Sequence, residues 1–482
     1  MSIDVAGDRF VVIGGGITGL ATAHRLTALL PGHAVTLVER EPRLGGKIRT
    51  ERTDGFIIEG GPDSFLSAKP RGLGLCRELG LGDRLHGPDE ANLRTFVLRH
   101  GNLHRLPEGL TGLIPTRLGP MARSGLISPL GKARMALDFV LPRKSEKADE
   151  SLAAFIERRL GREVYRNLVE PLMAGIYAGD GRQLSLAATF PQLRAAERRH
   201  GGLIKGVLAA RREAEAANLN APKPGFLTLP TGLSELVETL EETLTGAGVD
   251  VRTGAGVAAL DREEGGYRVV LEDGESIDAA AVVVATEAWA AAPLLRAIDT
   301  TLASTLDEIP HVSSATVALA FRTDDLPEPL MGYGYVVPRA EGRPVLASTW
   351  LSAKWPGRAP DGFTLVRGFV GRAGFEEVLA GSDDALVGLV RDELRHTLGI
   401  AAEPTLQRVT RWPRGMPQYT LGHLDRVAAI DRAVAAHPGL AIAGNVFSGV
   451  GIPDCIRSGE AAAERVTGEI LARYGPAVHA RA

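Results

Sequence analysis

The sequence predicts an α/β fold whose core is a parallel sheet, built from segments far apart in the 482-residue chain. Residues 10–13 and 281–285 are continuous apolar runs, which are typical of parallel strands buried on both faces. A glycine turn, a helix with apolar spacing through Leu26 and a second strand at residues 35–38 follow the first run. This order indicates a Rossmann-like start to the chain.

The rest of the chain alternates between predicted helical and predicted strand-rich stretches. The predicted elements, in order, are a mostly helical stretch at about 66–225 with amphipathic runs at 151–160 and 164–173, a helix at 233–244, hairpin turns at 265–266 and 273–274, a strand-rich stretch at 314–372 and a final helix near Pro453. Because sheet-type and helical stretches alternate, we expect one domain to be assembled from distant segments.

Composition and charge exclude several classes of protein. Hydrophobic residues make up 44% and charged residues 23% of the chain, which is typical of a globular protein. The net charge of −3 argues against a nucleic-acid-binding protein. Residues 94–147 nevertheless hold ten Lys and Arg against three Asp and Glu, a local excess of +7 that can attract anions.

The cysteines and the apolar runs indicate the cellular compartment in which we expect the protein. Cys76 and Cys455 lie far apart, so neither a disulfide framework nor a cysteine metal site is indicated, and we expect no metal. The N-terminus lacks a basic region followed by an apolar one, and residues 433–453 are interrupted by proline and glycine. We therefore expect a cytoplasmic protein without a transmembrane segment.

The strongest local motif is Gly14-x-Gly16-x-x-Gly19, which follows a strand and opens a helix. The first glycine permits the turn, the second lets the backbone approach a diphosphate, and the third allows the helix to pack closely on the strand. Glu39 ends the second strand twenty residues later and can accept hydrogen bonds from a ribose. The motif predicts a dinucleotide site; the alternative is a structural glycine turn.

Two further segments favour FAD over NAD. Residues 43–47 contain a second glycine doublet and resemble the flavin amine oxidase superfamily, as does the C-terminal segment 444–459. Pro453 stands at the expected first turn of the last helix, whose N-terminus can stabilise negative charge on a reduced flavin. The alternative for this segment is a capped surface helix.

Six separated motifs resemble the oxygen-dependent porphyrinogen oxidases, which include protoporphyrinogen oxidases and bacterial coproporphyrinogen III oxidases. The motifs are residues 59–65, 175–180, Ser185 with 189–191, 411–413, 416–419 and 449–456. They occur in the family's order over nearly the whole chain. The resemblance implies a Rossmann-like FAD-binding domain of the flavin amine oxidase type, a mixed α/β substrate domain and a helical domain.

The resemblance also implies a set of cofactor contacts. The predicted FAD-binding residues are Gly14, Gly15, Gly16, Ile17, Thr18, Gly19, Glu39, Arg40, Gly45, Gly46, Lys47, Gly61, Pro62, Asp63, Ser64, Val257, Trp412, Val450, Gly451 and Ile452. Val257 is expected as a backbone contact near the adenine. For Trp412 the alternative is a core position, since buried tryptophans are more often packed in the core.

The implied activity is a six-electron oxidation of coproporphyrinogen III to coproporphyrin III in haem biosynthesis, with oxygen as acceptor and hydrogen peroxide released. Protoporphyrinogen IX oxidation is the alternative. We assign no catalytic acid or base, because the histidines lie in no ligand or triad pattern and the flavin carries the chemistry. Remoter alternatives are another amine oxidase-like enzyme and a non-catalytic escort protein of the same fold.

A polycarboxylate substrate requires cations in its pocket. The predicted substrate residues are Lys69, Arg94, Thr95, Gly175, Tyr177 and Lys354. Thr95 stands where plant and animal relatives carry an anchoring arginine, with Arg94 beside it, and this departure favours the coproporphyrinogen branch. For Lys69, Arg94 and Lys354 the alternative is a solvated surface charge, and for residues 175–180 it is a helix-ending turn.

The predicted domains are an FAD-binding domain at 1–68, 226–290 and 405–482, a helical domain at 69–225 that forms the pocket mouth, and a substrate domain at 291–404. The apolar segment 110–130, with Arg117, Arg123, Lys132 and Arg134, suits either an anionic membrane surface or a solvated helical face. We therefore expect at most a peripheral membrane contact. The expected partners are the porphyrinogen, oxygen and, transiently, a downstream haem-pathway enzyme.

Overall fold

The computed structural model of the protein describes residues 8–90, 94–107, 110–111, 114–115, 118–144, 149–217 and 225–473. The strands are β1 (Arg9–Ile13), β2 (Ala34–Val38), β3 (Thr50–Thr53), β4 (Phe56–Glu59), β5 (Phe65–Leu66), β6 (Thr95–Arg99), β7 (Asn102–Arg105), β8 (Leu110–Thr111), β9 (Ile114–Pro115), β10 (Phe226–Leu227), β11 (Asp250–Arg252), β12 (Val257–Glu263), β13 (Gly266–Leu271), β14 (Ser276–Ala279), β15 (Ala281–Val284), β16 (His311–Arg322), β17 (Gly334–Val336), β18 (Val345–Trp350), β19 (Phe363–Val370), β20 (Leu406–Pro417) and β21 (Leu440–Ile442).

The helices follow the same numbering along the chain. They are α1 (Ile17–Leu29), α2 (Pro70–Glu78), α3 (Leu118–Arg123), α4 (Pro129–Ala136), α5 (Leu152–Leu160), α6 (Arg162–Val164), α7 (Glu170–Tyr177), α8 (Leu186–Thr189), α9 (Pro191–His200), α10 (Leu203–Ala217), α11 (Ser234–Gly246), α12 (Ala288–Leu295), α13 (Thr300–Asp307), α14 (Leu351–Lys354), α15 (Asp383–Leu398), α16 (His423–Ala435) and α17 (Ile452–Arg473). No described helix is both long enough and apolar enough to cross a bilayer.

The central sheet has five parallel strands in the order β11-β2-β1-β15-β21. The three predicted apolar strands, β1, β2 and β15, lie side by side at its centre, as expected for runs that are buried on both faces. Strand β21 is a short addition from the C-terminal segment. All five carboxyl ends share one edge, so loops from the two ends of the chain meet there.

Two layers cover this sheet. Helices α1, α11 and α17 contribute to one apolar core with the first strands. Helices α12, α13 and α16 pack on the other face together with the antiparallel sheet β12-β13-β14. The predicted hairpin turns join these three strands, and Gly265 and Gly274 adopt φ values of +88° and +92° there.

A second, seven-stranded sheet has the order β20-β16-β19-β18-β17-β6-β7. All its pairs are antiparallel except β17 with β6. Strands β6 and β7 come from the stretch predicted as mostly helical, and β20 comes from the segment predicted to belong with the central sheet. The three-domain division stays a prediction, and the observed sheet crosses two of its boundaries.

The helical layer confirms the predicted helix at 151–160 as α5. The second amphipathic run differs from a plain α-helix, because residues Tyr165–Val169 form a π-helical turn between α6 and α7. Pro171 follows this turn and has no N–H to donate to the Asn167 carbonyl four residues earlier. This missing bond favours the wider turn.

Helices α1 and α17 pack closely at glycine. A Cβ on Gly459 would lie 2.3 Å from the Thr18 carbonyl oxygen, so any side chain there would push the helices apart. Gly468 lies on the exposed face of the same helix, and a Cβ there would meet nothing within 4 Å. The two glycines therefore form a matched pair within α17.

We expect Gly459→Ala to lower the free energy of unfolding by about 1–3 kcal/mol, because the added methyl group overpacks the helix contact. Gly468→Ala should raise it by about 0.5–1 kcal/mol through helix propensity. Urea denaturation followed by far-UV circular dichroism measures both. Equal effects of the two substitutions would contradict the close packing of α1 and α17.

Candidate functional site

The first glycine turn is held by the backbone of its neighbours. Gly14 adopts φ of +110°, and its N–H donates to the Val38 carbonyl at 2.8 Å. A Cβ on Gly19 would lie 1.8 Å from the Gly14 carbonyl oxygen. These two glycines are therefore required by the packing of α1 against the turn.

Gly16 differs from its neighbours, since a Cβ there would meet no atom within 4 Å. It caps α1 without a side-chain hydrogen bond, and the first turn of α1 carries no acidic residue. Its neighbour Gly15 accepts a hydrogen bond from Gly45 N–H at 2.8 Å, so the predicted glycine doublet lies against the first turn. The result is an open helix N-terminus lined by backbone N–H groups, which suits an anion.

Glu39 lies beside this turn at the end of β2. Its carboxylate accepts the N–H of Gly15 at 2.6 Å and that of Glu41 at 2.8 Å. The predicted cofactor residue Arg40 pairs with Glu272 at 2.9 Å on the surface. The carboxylate of Glu39 is thus oriented by backbone, with lone pairs left to accept from a diol.

Lys47 forms an ion pair with Glu287, which follows β15 at the same sheet edge. Burial disfavours the charged form of Glu287, but the Lys47 ammonium outweighs that effect and holds the pKa of Glu287 below its usual value. This pair joins the loop after β2 to the loop after β15.

The C-terminal loop reaches the same place. Helix α17 begins at Ile452, as predicted, after Gly449 with φ of +139°. Ile452 and Cys455 of α17 share one apolar core with Ile17 of α1, and Gly459 packs against the Thr18 carbonyl in the first turn of α1. The two helices therefore run side by side after the carboxyl ends of β1 and β21, which places the predicted residues Ile17, Val450 and Gly451 near one edge of the sheet.

The predicted loop 61–64 is held by an arginine from the second sheet. Arg367 on β19 donates to the carbonyls of Glu59 and Gly61, at 2.8 and 2.7 Å, and to the Asp63 carboxylate at 2.8 Å. Its side chain is 3% exposed. One guanidinium thus sets the path of the loop through three acceptors.

Asp63 is ionised in this environment. Burial opposes its charge, but Lys354 at 3.0 Å and Arg367 outweigh that effect and hold the pKa of Asp63 well below its usual value. The adjacent Ser64 hydroxyl donates to the same carboxylate at 2.7 Å. The predicted loop residue Pro62 lies between Gly61, whose carbonyl is bound by Arg367, and Asp63, whose carboxylate is bound by Arg367 and Lys354.

Trp412 lies against this loop rather than in the general core. Its indole N–H donates to the Gly60 carbonyl at 2.9 Å, and its ring faces Gly61. Val257 opens β12 and is buried beside the central sheet. Both predicted residues thus neighbour the sheet edge, Trp412 through a direct contact with the loop.

The predicted pocket segment at the end of α7 approaches the C-terminal loop. The Tyr177 ring is buried and lies 5.9 Å from that of Tyr419, while Gly175 is exposed. The Gln418 amide donates to the Tyr177 carbonyl at 2.9 Å. Helix α7 therefore ends beside the segment between β20 and α16, whose Tyr419 contacts the loop before α17.

The predicted substrate cations have different environments. Lys69 pairs with the buried Asp454 in the first turn of α17, and Lys354 pairs with Asp63. Arg94 is exposed just before β6, where Thr95 lies opposite Gly334 of β17. Two of the three cations are thus already paired with carboxylates, and of these two Lys69 still has an exposed side chain, as Arg94 does.

Sequence reasoning missed Arg367, Glu287 and Asp454 as site residues. Arg367 had a visible signal, because it is a charged residue in the middle of an otherwise apolar strand, where a partner is required. Glu287 and Asp454 had none, because their partners, Lys47 and Lys69, are more than two hundred residues away.

Comparison with known proteins matches residues 17–467 to the family described as flavin containing amine oxidoreductase. The chain is 42% identical to coproporphyrinogen III oxidase of Bacillus subtilis (strain 168), over 94% of this chain and 96% of that one. It is 34% identical to the coproporphyrinogen III oxidase of Staphylococcus aureus, over 95% and 99% of the two chains. It is 32% identical to the chloroplastic protoporphyrinogen oxidase of Nicotiana tabacum, over 96% and 86%.

Solved structures agree with the fold. A crystal structure from Exiguobacterium sp. 255-15 has a TM-score of 0.85 at 35% identity, covering 96% of this chain and 99% of that one. Cyclohexylamine oxidase from Brevibacterium oxydans has a TM-score of 0.68 at 18% identity, which shows a shared fold, with 96% and 100% covered. The predicted fold class and the predicted resemblance are confirmed.

We expect Arg367→Met to lower the free energy of unfolding by about 3–5 kcal/mol, because it leaves Asp63 and two carbonyls with unpaired acceptors in a buried site. The matched control is Arg408→Met on β20 of the same sheet, whose ion pair with Glu51 is exposed. That change should alter stability by less than about 1 kcal/mol. Urea denaturation compares them, and equal losses would show that Arg367 has no special role in the loop.

Proposed function

The chain belongs to the flavin-containing amine oxidoreductase family, and on that premise we propose that it oxidises coproporphyrinogen III to coproporphyrin III with FAD as cofactor and oxygen as acceptor. The observation that carries the proposal is the 42% identity to a coproporphyrinogen III oxidase over nearly the full length of both chains. The lower identity to protoporphyrinogen oxidases makes protoporphyrinogen IX the second substrate to test.

The residues at the sheet edge fit FAD. The space above Gly16 is free of side chains, whereas a Cβ on Gly14 or Gly19 would strike the protein's own backbone. The N–H groups of the first turn of α1 would bind the diphosphate, and Glu39 would accept the ribose hydroxyls. These roles need only groups that the structure already presents at this edge.

FAD, when bound, supplies a two-electron acceptor that oxygen regenerates with formation of hydrogen peroxide. Three such rounds remove six electrons and six protons from the macrocycle. The N-terminus of α17 would stabilise negative charge at the reduced ring system through its exposed dipole. The protein's own contribution is thus binding, orientation and charge stabilisation.

The ionised Asp63 carboxylate orients the loop 61–64 and does not transfer protons. Asp63 accepts hydrogen bonds from Ser64, Lys354 and Arg367 and has a low pKa, which makes it a weak base. The Lys47–Glu287 pair would likewise hold the edge in place. These contacts argue against Asp63 and Glu287 as catalytic bases.

The substrate carboxylates require cations that are free to bind them. Because Asp63 and Asp454 already pair with Lys354 and Lys69, a carboxylate of the substrate would share these cations. Lys69 is 46% exposed and Lys354 is 12% exposed, so Lys69 is the more accessible of the two. We therefore propose Lys69 and Arg94 ahead of Lys354 as carboxylate contacts.

The purified protein should be yellow and should oxidise coproporphyrinogen III at least tenfold faster than protoporphyrinogen IX, because the pocket is proposed to bind four carboxylates rather than two. The appearance of porphyrin fluorescence under air, with peroxide measured in parallel, gives both rates. Tenfold faster turnover of protoporphyrinogen would reverse the choice of substrate. A colourless protein without turnover would support a non-catalytic binding protein, and amine-dependent peroxide alone would support an amine oxidase.

We also propose a cytoplasmic location with a peripheral membrane contact. Leu130 on α4 is 81% exposed, and Leu137 and Val140, in and just after the 3-10 turn that follows α4, are 46% and 76% exposed. Arg123, Lys132 and Arg134 lie close by in the chain, while Arg117 is outside the described residues. Exposed apolar side chains flanked by cations suit an anionic bilayer surface.

The double change Leu130→Ser with Val140→Ser should release the protein from vesicles of phosphatidylglycerol and phosphatidylcholine, because it removes the exposed apolar side chains that would insert. Co-sedimentation measures the bound fraction. The control is Leu424→Ser, which removes a leucine on α16 that is 47% exposed. If the wild type does not sediment with the vesicles, this helical face is a solvated one.

A further inference from the structure

Tyr419 connects two backbone groups of the loop that precedes α17. Its hydroxyl donates to the Asn445 carbonyl and accepts the Gly449 N–H at 2.9 Å. The tyrosine side chain is completely buried. Its hydroxyl therefore bridges the five-residue stretch from Asn445 to Gly449, in the loop between β21 and α17, through a single oxygen atom.

The ring of Tyr419 is held from two sides. It stacks on His423 with centroids 4.1 Å apart and planes at 12°, and the Tyr177 ring lies 5.9 Å away at 58°. Burial, and after it the Arg426 guanidinium, lowers the pKa of His423 to about 4, so its ring is neutral at physiological pH. The stack is thus a contact between two uncharged rings.

The backbone of Tyr419 is fixed as well. Its carbonyl accepts the Ser185 N–H at 2.7 Å, which ties the residue to the start of α8. The hydroxyl therefore has little freedom to move, and the loop must adapt to it. Gly449 is also the point where φ of +139° turns the chain into α17.

We propose that Tyr419 is a positioning residue for the flavin, whose hydroxyl sets the N-terminus of α17 by bridging Asn445 and Gly449. The inference rests on the proposed function, because that N-terminus acts on the reaction only if FAD binds beside it. Without the hydroxyl, the loop loses the bridge between Asn445 and Gly449 and keeps its hydrogen bonds with the α17 side chains of Ser458 and Arg457. The helix N-terminus is then free to shift away from its position beside α1.

Tyr419→Phe tests the inference, because it keeps both ring contacts and removes only the oxygen. We expect the Kd for FAD to rise at least tenfold, the flavin reduction potential to become more negative and kcat to fall, with little change in KM for coproporphyrinogen III. Fluorescence of released FAD, spectroelectrochemistry and porphyrin fluorescence measure these quantities. A purely structural role would leave the reduction potential unchanged.

The matched control is Tyr267→Phe. The Tyr267 hydroxyl also bonds to backbone carbonyls, those of His437 and Pro438 at 3.2 and 3.1 Å, at the antiparallel sheet β12-β13-β14. This variant should lose stability without a change in FAD affinity or potential. If the two variants behave alike, the positioning role of Tyr419 is overturned.

Should Tyr419→Phe not fold, His423→Leu replaces it as the test, since this variant removes the stacked ring and keeps the hydroxyl. It should shift FAD affinity and potential in the same direction by a smaller factor, and unchanged values would overturn the inference. A wild type that neither binds FAD nor oxidises coproporphyrinogen defeats the proposed function itself. If the wild type binds FAD and oxidises coproporphyrinogen, and the Tyr419→Phe variant has the same FAD affinity, reduction potential and kcat, only this inference is defeated.

Discussion

The close contact between the first and last helices of the chain is the constraint on which the site depends. Gly459, in the second turn of α17, lets that helix lie against the carbonyl of Thr18 in the first turn of α1, so the helices that follow the carboxyl ends of β1 and β21 pack side by side. Each helix begins after a glycine-containing turn at this edge of the central sheet. A single packing contact thus brings together the two turns that the proposed cofactor site requires.

The second sheet adds the charges that hold the site together. Asp63 and Glu59 are buried, and neither charge would be tolerated there without partners. Arg367 on β19 and Lys354 on α14 pair with Asp63. Arg358 lies 3.5 Å from Glu59 and donates to the Leu229 carbonyl. Buried ion pairs of this kind contribute little net stability, because desolvation offsets the attraction. Their effect here is to define where the loop lies relative to both sheets.

These two features assign different tasks to the two parts of the molecule. The central sheet presents backbone N–H groups and one carboxylate, which suit a nucleotide. The second sheet and the helical layer contribute Tyr177, Tyr419 and a set of cations near the same edge. A reaction that needs electron transfer to a bound cofactor and little acid-base chemistry fits this division, since the side chains orient groups and are already paired.

Much of the fold could be read from the amino-acid order, because it is encoded over short distances. The run at residues 10–13, the hairpin turns at Gly265 and Gly274 and the start of the last helix near Pro453 depend on neighbours within a few residues, and each appears where it was predicted. Contacts between distant segments could not be read in this way. The addition of β6 and β20 to the second sheet, the guanidinium of Arg367 on the loop at 61–64 and the bridge from Tyr419 to Gly449 arise only when the chain folds back on itself. Local patterns report backbone preference and burial, whereas the partner of a buried charge or hydroxyl is chosen by packing across the whole molecule.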